Sequence, residues 1–167
     1  MTPWAELLRN LNRRTAEQAR TMRVPLWAIR LKLAENPTNL GFGDVDDYSL
    51  EPEALVSDDR GACRALAAAL YGRGVRSFLA PSAALPGTIN LVVLEPAVVV
   101  DFDSEPFSAD DWPTALAAQD GRCPQGLWDQ VHYRGAGVPH RALEAWRKGD
   151  VFVFDQPSVD RASLRGS

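Results

Sequence analysis

Apolar residues recur at helical spacing near the start of the chain. Trp4, Leu7, Leu8 and Leu11 stand at i, i+3, i+4 and i+7, while Glu6, Arg9, Asn10 and Arg13 occupy other angles of the wheel. The pattern predicts an amphipathic helix with Thr2 as its N-cap and Pro3 at the first position, where a missing N–H costs nothing. From Leu26 the period shortens to two. Trp27, Ile29, Leu31 and Leu33 alternate with Ala28, Arg30, Lys32 and Ala34, which predicts a strand with one wet face. Residues 35–57 hold Pro37, Gly41, Gly43, Pro52 and several carboxylates, and read as connections with at most one short element. Ser57 or Asp58 then caps a second helix, whose stripe of Cys63, Leu66, Ala67 and Leu70 stops near Gly72 or Gly74.

Strand patterns follow at 76–80, 88–94 and 97–102, the first two separated by the turn-rich stretch Pro-Ser-Ala-Ala-Leu-Pro-Gly. The latter two lack clean alternation, which predicts interior strands covered on both faces. In the last third, Pro106, Pro113, Pro124, Pro139 and Pro157 punctuate short helical pieces. The clearest runs over 139–148 and is closed by Gly149. Residues 151–154 predict a short edge strand, and a polar tail begins at about 156.

A chain of 167 residues with 46% hydrophobic content suits one continuous core. Eighteen Lys and Arg against 22 Asp and Glu leave a net charge of −4. That balance excludes a basic nucleic-acid footprint, since phosphate neutralisation needs clustered excess cations. The longest apolar runs, 91–94 and 97–100, fall far short of the roughly 20 residues that span a bilayer. Glu6 and Arg9 interrupt the stretch a signal peptide would need, and Cys63 and Cys123 alone make no disulfide framework. The expected setting is the cytoplasm.

Glycine loops of the nucleotide-binding types are absent, because the pairs Gly41/Gly43, Gly72/Gly74 and Gly135/Gly137 lack the spacing and context. Cys123, His132 and His140 do not have zinc-ligand spacing, so no metal is expected. Cys63 lies on an apolar stripe and reads as a small buried hydrophobe. The two histidines read as surface or packing residues, and the five tryptophans as core or interface. Ser82 has two readings. A serine at a strand end after proline is well placed to donate into a pocket, and it is equally able to close its own turn by bonding the backbone. Ser82 paired with His132 or His140 as a hydrolase is a further alternative, but it lacks a nucleophile-elbow motif.

The stretch 58–94 resembles the serine half of the RES domain family, named for its Arg, Glu and Ser. Pro81, Ser82, Ala83 and Asn90 match the family's Pro-Ser-Ala turn and following Asn-bearing strand, and the helix around Ala5-Glu6-Leu7 is similar to the one that carries the glutamate. The resemblance implies a mixed α/β fold similar to ADP-ribosyltransferase domains. It places a RES-like domain at 1–103; residues 104–167 are not accounted for by the family pattern and are expected to form a helical extension packed on the same domain. It also implies a toxin-like enzyme that takes NAD as substrate, needs no further cofactor and is paired with a cognate antitoxin. Cleaving the nicotinamide–ribose bond develops an oxocarbenium-like cation, which a nearby carboxylate stabilises. That role falls on Glu6; the resemblance also makes Ser82 catalytic, through a hydrogen bond to the substrate, and gives Asn90 a part in binding substrate. The family's arginine lies on strands ahead of the glutamate helix, where this chain has only five residues. Arg23 and Arg30 sit in no matching motif, so the expectation is a chain truncated relative to the family pattern. Missing leading strands leave an exposed sheet edge, which predicts self-association or a bound partner.

Overall fold

The computed structural model describes residues 1–24, 28–33, 35–94, 98–103 and 123–155. Helix α1 (Thr2–Asn10) forms where the apolar spacing predicts it, and buries Trp4, Ala5 and Leu8. Its N-cap is Met1 rather than Thr2, which is already helical. Helix α2 (Ala16–Thr21) follows at once, opened by a capping box in which Thr15 accepts from the Gln18 N–H and the Gln18 side chain accepts from the Thr15 N–H. Strand β1 (Ala28–Lys32) lies within the predicted strand.

Residues 35–57 hold more order than predicted. They contain a two-residue strand β2 (Thr38–Asn39) and two 3-10 turns, Val45–Tyr48 and Pro52–Leu55. Helix α3 (Arg60–Gly72) is capped by Asp59, whose side chain accepts from the Gly61 N–H. The expected caps Ser57 and Asp58 lie outside it, because Ser57 Oγ accepts from the Asp59 N–H and Asp58 turns to another partner. Leu66 and Leu70 carry the buried stripe of α3. Cys63, expected to be buried, is exposed; one turn ahead of the core, it touches the Pro52–Leu55 turn through Sγ and the Ala54 carbonyl.

Strands β3 (Ser77–Pro81) and β4 (Ile89–Val93) pair antiparallel, with Ala80 opposite Asn90 and Pro81 opposite Ile89. Strand β2 adds parallel to β3, giving a mixed sheet of order β2-β3-β4. Strand β5 (Val98–Asp103) pairs antiparallel with β1, with an irregular register at Arg30/Leu31. The expectation that β4 is covered on both faces is corrected. Among the described residues β4 is an edge strand, with Ile89 64% and Leu91 44% exposed. Opposite them, Ala80 is buried and Asn90 and Val92 are partly covered, so β4 alternates after all.

After residue 122 the chain makes a 3-10 turn, Leu127–Asp129, and helix α4 (Arg141–Arg147), inside the predicted 139–148. Residues 151–155 form no ladder where an edge strand was predicted. They alternate all the same, with Val151 and Val153 outward and Phe152 lying against Gly87. The predicted tail from 156, and the extension over 104–122, lie outside the described residues.

Two apolar clusters result. One joins Trp4, Ala5 and Leu8 of α1 and Ala19 of α2 to Ala84, Leu85, Leu127, Val131 and Tyr133. The other joins Leu66 and Leu70 to Leu40, Val45, Leu55, Phe78, Ala80 and Leu143. Among the described residues no helix is long and apolar enough to cross a membrane.

Candidate functional site

The turn between β3 and β4 is closed by its own groups. The Ser82 N–H donates to the Thr88 carbonyl at 2.9 Å and the Thr88 N–H to the Leu85 carbonyl at 3.2 Å. Ser82 has no exposed surface, and its Oγ accepts from the Leu85 N–H at 3.2 Å, an ST-type closure. Thr88 Oγ1 donates to the Leu85 carbonyl at 2.8 Å. The turn thus hands the chain into β4 with little freedom, and Asn90 follows two residues later on the face shared with Ala80.

Helix α1 crosses this hairpin. Asn90 Nδ2 donates to Glu6 Oε1 at 3.3 Å, joining residues 84 positions apart in the sequence. Both are partly buried. One turn further along α1, Arg9 meets the same hairpin at its turn. Its Nη1 donates to the carbonyls of Ala83 at 2.7 Å and His132 at 2.5 Å, and its Nη2 pairs with Asp58 Oδ1 at 2.7 Å. Arg9 lies off the apolar stripe of the wheel, yet it is 3% exposed. Three acceptors make that burial tolerable. Burial lowers its pKa, while Asp58 and Glu6 act in the opposite direction.

Behind the turn lie the two histidines. The His132 N–H donates to the Ala84 carbonyl at 2.9 Å, and its ring meets that of His140 edge to face, centroids 5.0 Å apart. His140 Nε2 is 3.1 Å from the Ser82 carbonyl oxygen. A serine–histidine nucleophile pair needs the hydroxyl, and this contact is to the carbonyl instead. Burial is the largest cause lowering the pKa of both rings, His140 to about 4. His132 is also lowered by Arg9. Among the described residues no group of three or more His, Cys, Asp or Glu is placed to hold a metal ion. Burial also pushes the Cys123 thiol up to about 11, which keeps it protonated and unreactive.

The structure therefore brings Glu6 and Asn90 together and sets Ser82 inside the adjoining turn. Arg23 is committed to the Arg20 and Met22 carbonyls, and the side chain of Arg30 lies outside what the structure describes. The RES domain family model matches residues 1–117, which include Glu6, Arg9, Ser82 and Asn90. The chain belongs to the RES domain family. Among curated proteins and solved structures, nothing matches it. At the level of the family, membership supports a toxin-like module related to NAD. His132, Gly135 and His140 lie beyond the stretch that the RES model matches, although they touch its turn, its Asp58 and its Arg9.

Proposed function

We propose that this RES domain degrades NAD by cleaving the bond between nicotinamide and ribose, with water or phosphate as acceptor. The observation that carries the reading is the contact of Glu6 with Asn90 across α1 and β4. Nicotinamide leaves neutral, so the reaction asks for no strong general acid. It asks for negative charge near the ribose carbon as the oxocarbenium-like cation develops. Asn90 fixes one oxygen of Glu6 and leaves Oε2 without a hydrogen bond among the described residues. That oxygen is the one assigned to the cation. Ser82 contributes by shaping the turn that delivers Asn90, since its Oγ is enclosed and bonded.

The test is NAD concentration over time with the purified chain, in phosphate buffer and in phosphate-free buffer, beside Glu6→Ala. Glu6-dependent loss is expected, and its phosphate dependence names the acceptor. A folded chain that leaves NAD intact, or a Glu6→Ala variant that consumes it at the parent rate, overturns the reading. The exposure of Ile89 and Leu91 on edge strand β4 favours a second reading, a module that binds a protein partner such as a cognate antitoxin. Co-elution with the product of a neighbouring gene, lost on Ile89→Lys, would support it; a monomer that co-elutes with nothing would count against it.

A further inference from the structure

We propose that Arg9, held by Asp58, is the positioning residue that sets Glu6 against Asn90, and that residues 132–135 complete its mount. The proposal rests on the role given to Glu6 above. Helix α1 is tied to the 82–90 hairpin at three points, the first at its start, where Thr2 Oγ1 donates to Thr88 Oγ1 at 3.4 Å. Glu6 meets β4 at Asn90, and Arg9 meets the turn at the Ala83 carbonyl. The Glu6 contact, like that of Thr2, is weaker than the Arg9 tie, since 3.3 and 3.4 Å are at the long end for such bonds. A small slide or roll of α1 would break it.

Apolar packing of Trp4, Ala5 and Leu8 presses α1 onto the core but is non-directional, so it fixes the rotation of the helix poorly. Arg9 is directional. A guanidinium is a planar fork, and here it is engaged at 2.5 to 2.7 Å by acceptors from three separate parts of the chain: the β3–β4 turn, the loop before α3, and the segment after 122. Asp58 is itself aimed, because Oδ2 accepts from the Gly135 N–H at 2.8 Å while Oδ1 takes Arg9. The Arg9–Asp58–Gly135 chain thus locks the angle at which α1 leaves the hairpin. With both Nη atoms engaged and the residue 3% exposed, Arg9 is in no position to grip a substrate phosphate.

The readout is the side-chain amide of Asn90 in a nitrogen–proton NMR spectrum of the full chain, assigned by its loss in Asn90→Asp. Glu6→Gln shifts this signal in the parent. In Arg9→Met and Arg9→Lys, neither of which presents the fork, the response to Glu6→Gln is expected to vanish while core methyl signals such as Leu70 stay in place. Asp58→Asn keeps both carbonyl contacts and is expected to halve the response. It decides the matter should the Arg9 variants fail to fold. If the parent consumes NAD, Arg9→Lys should lower kcat at least tenfold with KM changed less than threefold.

An unchanged Asn90 response in the folded variants overturns the proposal, and so does a loss confined to KM, which would mean that Arg9 touches substrate. A parent that leaves NAD intact while the Arg9 variants lose the Asn90 response would overturn the reading of Glu6 and leave the positioning role standing.

Discussion

At His140 the Ser82 carbonyl oxygen lies 3.1 Å from Nε2, and a carbonyl only accepts. The network therefore assigns the proton to Nε2, leaving Nδ1 a buried lone pair without a partner among the described residues. A second proton on Nδ1 would place a charge in a site already flanked by His132, Arg9 and Arg141, and burial is the largest cause of the drop to about 4. In the unfolded chain the ring titrates at about 6.5. Between that value and about 4 the unfolded state binds a proton that the folded state refuses, so stability is full above the unfolded pKa and falls as pH drops towards 4. Below the folded value the loss levels off. The contribution is on the order of 3 kcal/mol, since each tenfold loss of proton affinity on folding corresponds to about 1.4 kcal/mol. His132, also lowered, acts in the same direction, with Asp58 partly opposing. Urea midpoints at pH 7.5 and 4.5 should drop further for the parent than for His140→Gln, which keeps an N–H for Ser82 without titrating. Equal drops would place the acid sensitivity elsewhere.

Among the elements, the hairpin turn and the 151–155 segment make a testable pair. Gly87 has φ +82°, and a Cβ there would stand 2.8 Å from Phe152 Cδ1 and 2.9 Å from the Phe154 backbone nitrogen. Gly74, after α3, has φ +88° but no atom of the described residues within 4 Å of the same position. Gly74→Ala is expected to cost about 1 kcal/mol from the left-handed backbone alone. Gly87→Ala should exceed it by about 1 to 3 kcal/mol from the added contact. Equal thermal midpoints would mean that 151–155 does not press on the turn.

Legibility along the sequence follows the same local physics. Helices α1 and α4 and the pair β3–β4 are predicted within a residue or two, because periodicity and punctuation by Pro and Gly report on local structure. Helix α2 carries a readable signal in the Thr15–Gln18 capping box, but at six residues it offers too little periodicity to be seen. Strand β2 is two residues long and exists only because β3 lies beside it. Glu6 and Asn90 are legible through the family motifs, whereas their contact spans 84 positions. Arg9 and Asp58 give no local sign at all. A buried guanidinium needs acceptors from several segments, and only the folded chain brings these together.

For the molecule as a whole, the family match ends at residue 117 while the first apolar cluster does not. Leu127, Val131 and Tyr133 fill that cluster beside α1 and the Ala84–Leu85 turn, and Leu143 enters the second. The Tyr133 hydroxyl donates to the Arg13 carbonyl, and the His132 carbonyl takes one of the Arg9 hydrogen bonds. Residues 123–155 are thus part of the core that holds the site. Removing them opens both clusters. Each large buried side chain lost costs about 2 to 5 kcal/mol, and four such losses match or exceed the roughly 5 to 15 kcal/mol by which a domain is stable. A chain ending at residue 122 should accordingly lose its cooperative thermal transition, bind a hydrophobic dye such as ANS, and show a collapsed near-ultraviolet dichroism signal where the full chain shows one sharp transition. Retention of a cooperative transition within a few degrees of the full chain would mean that the matched stretch carries its own core and that the later residues only rest upon it.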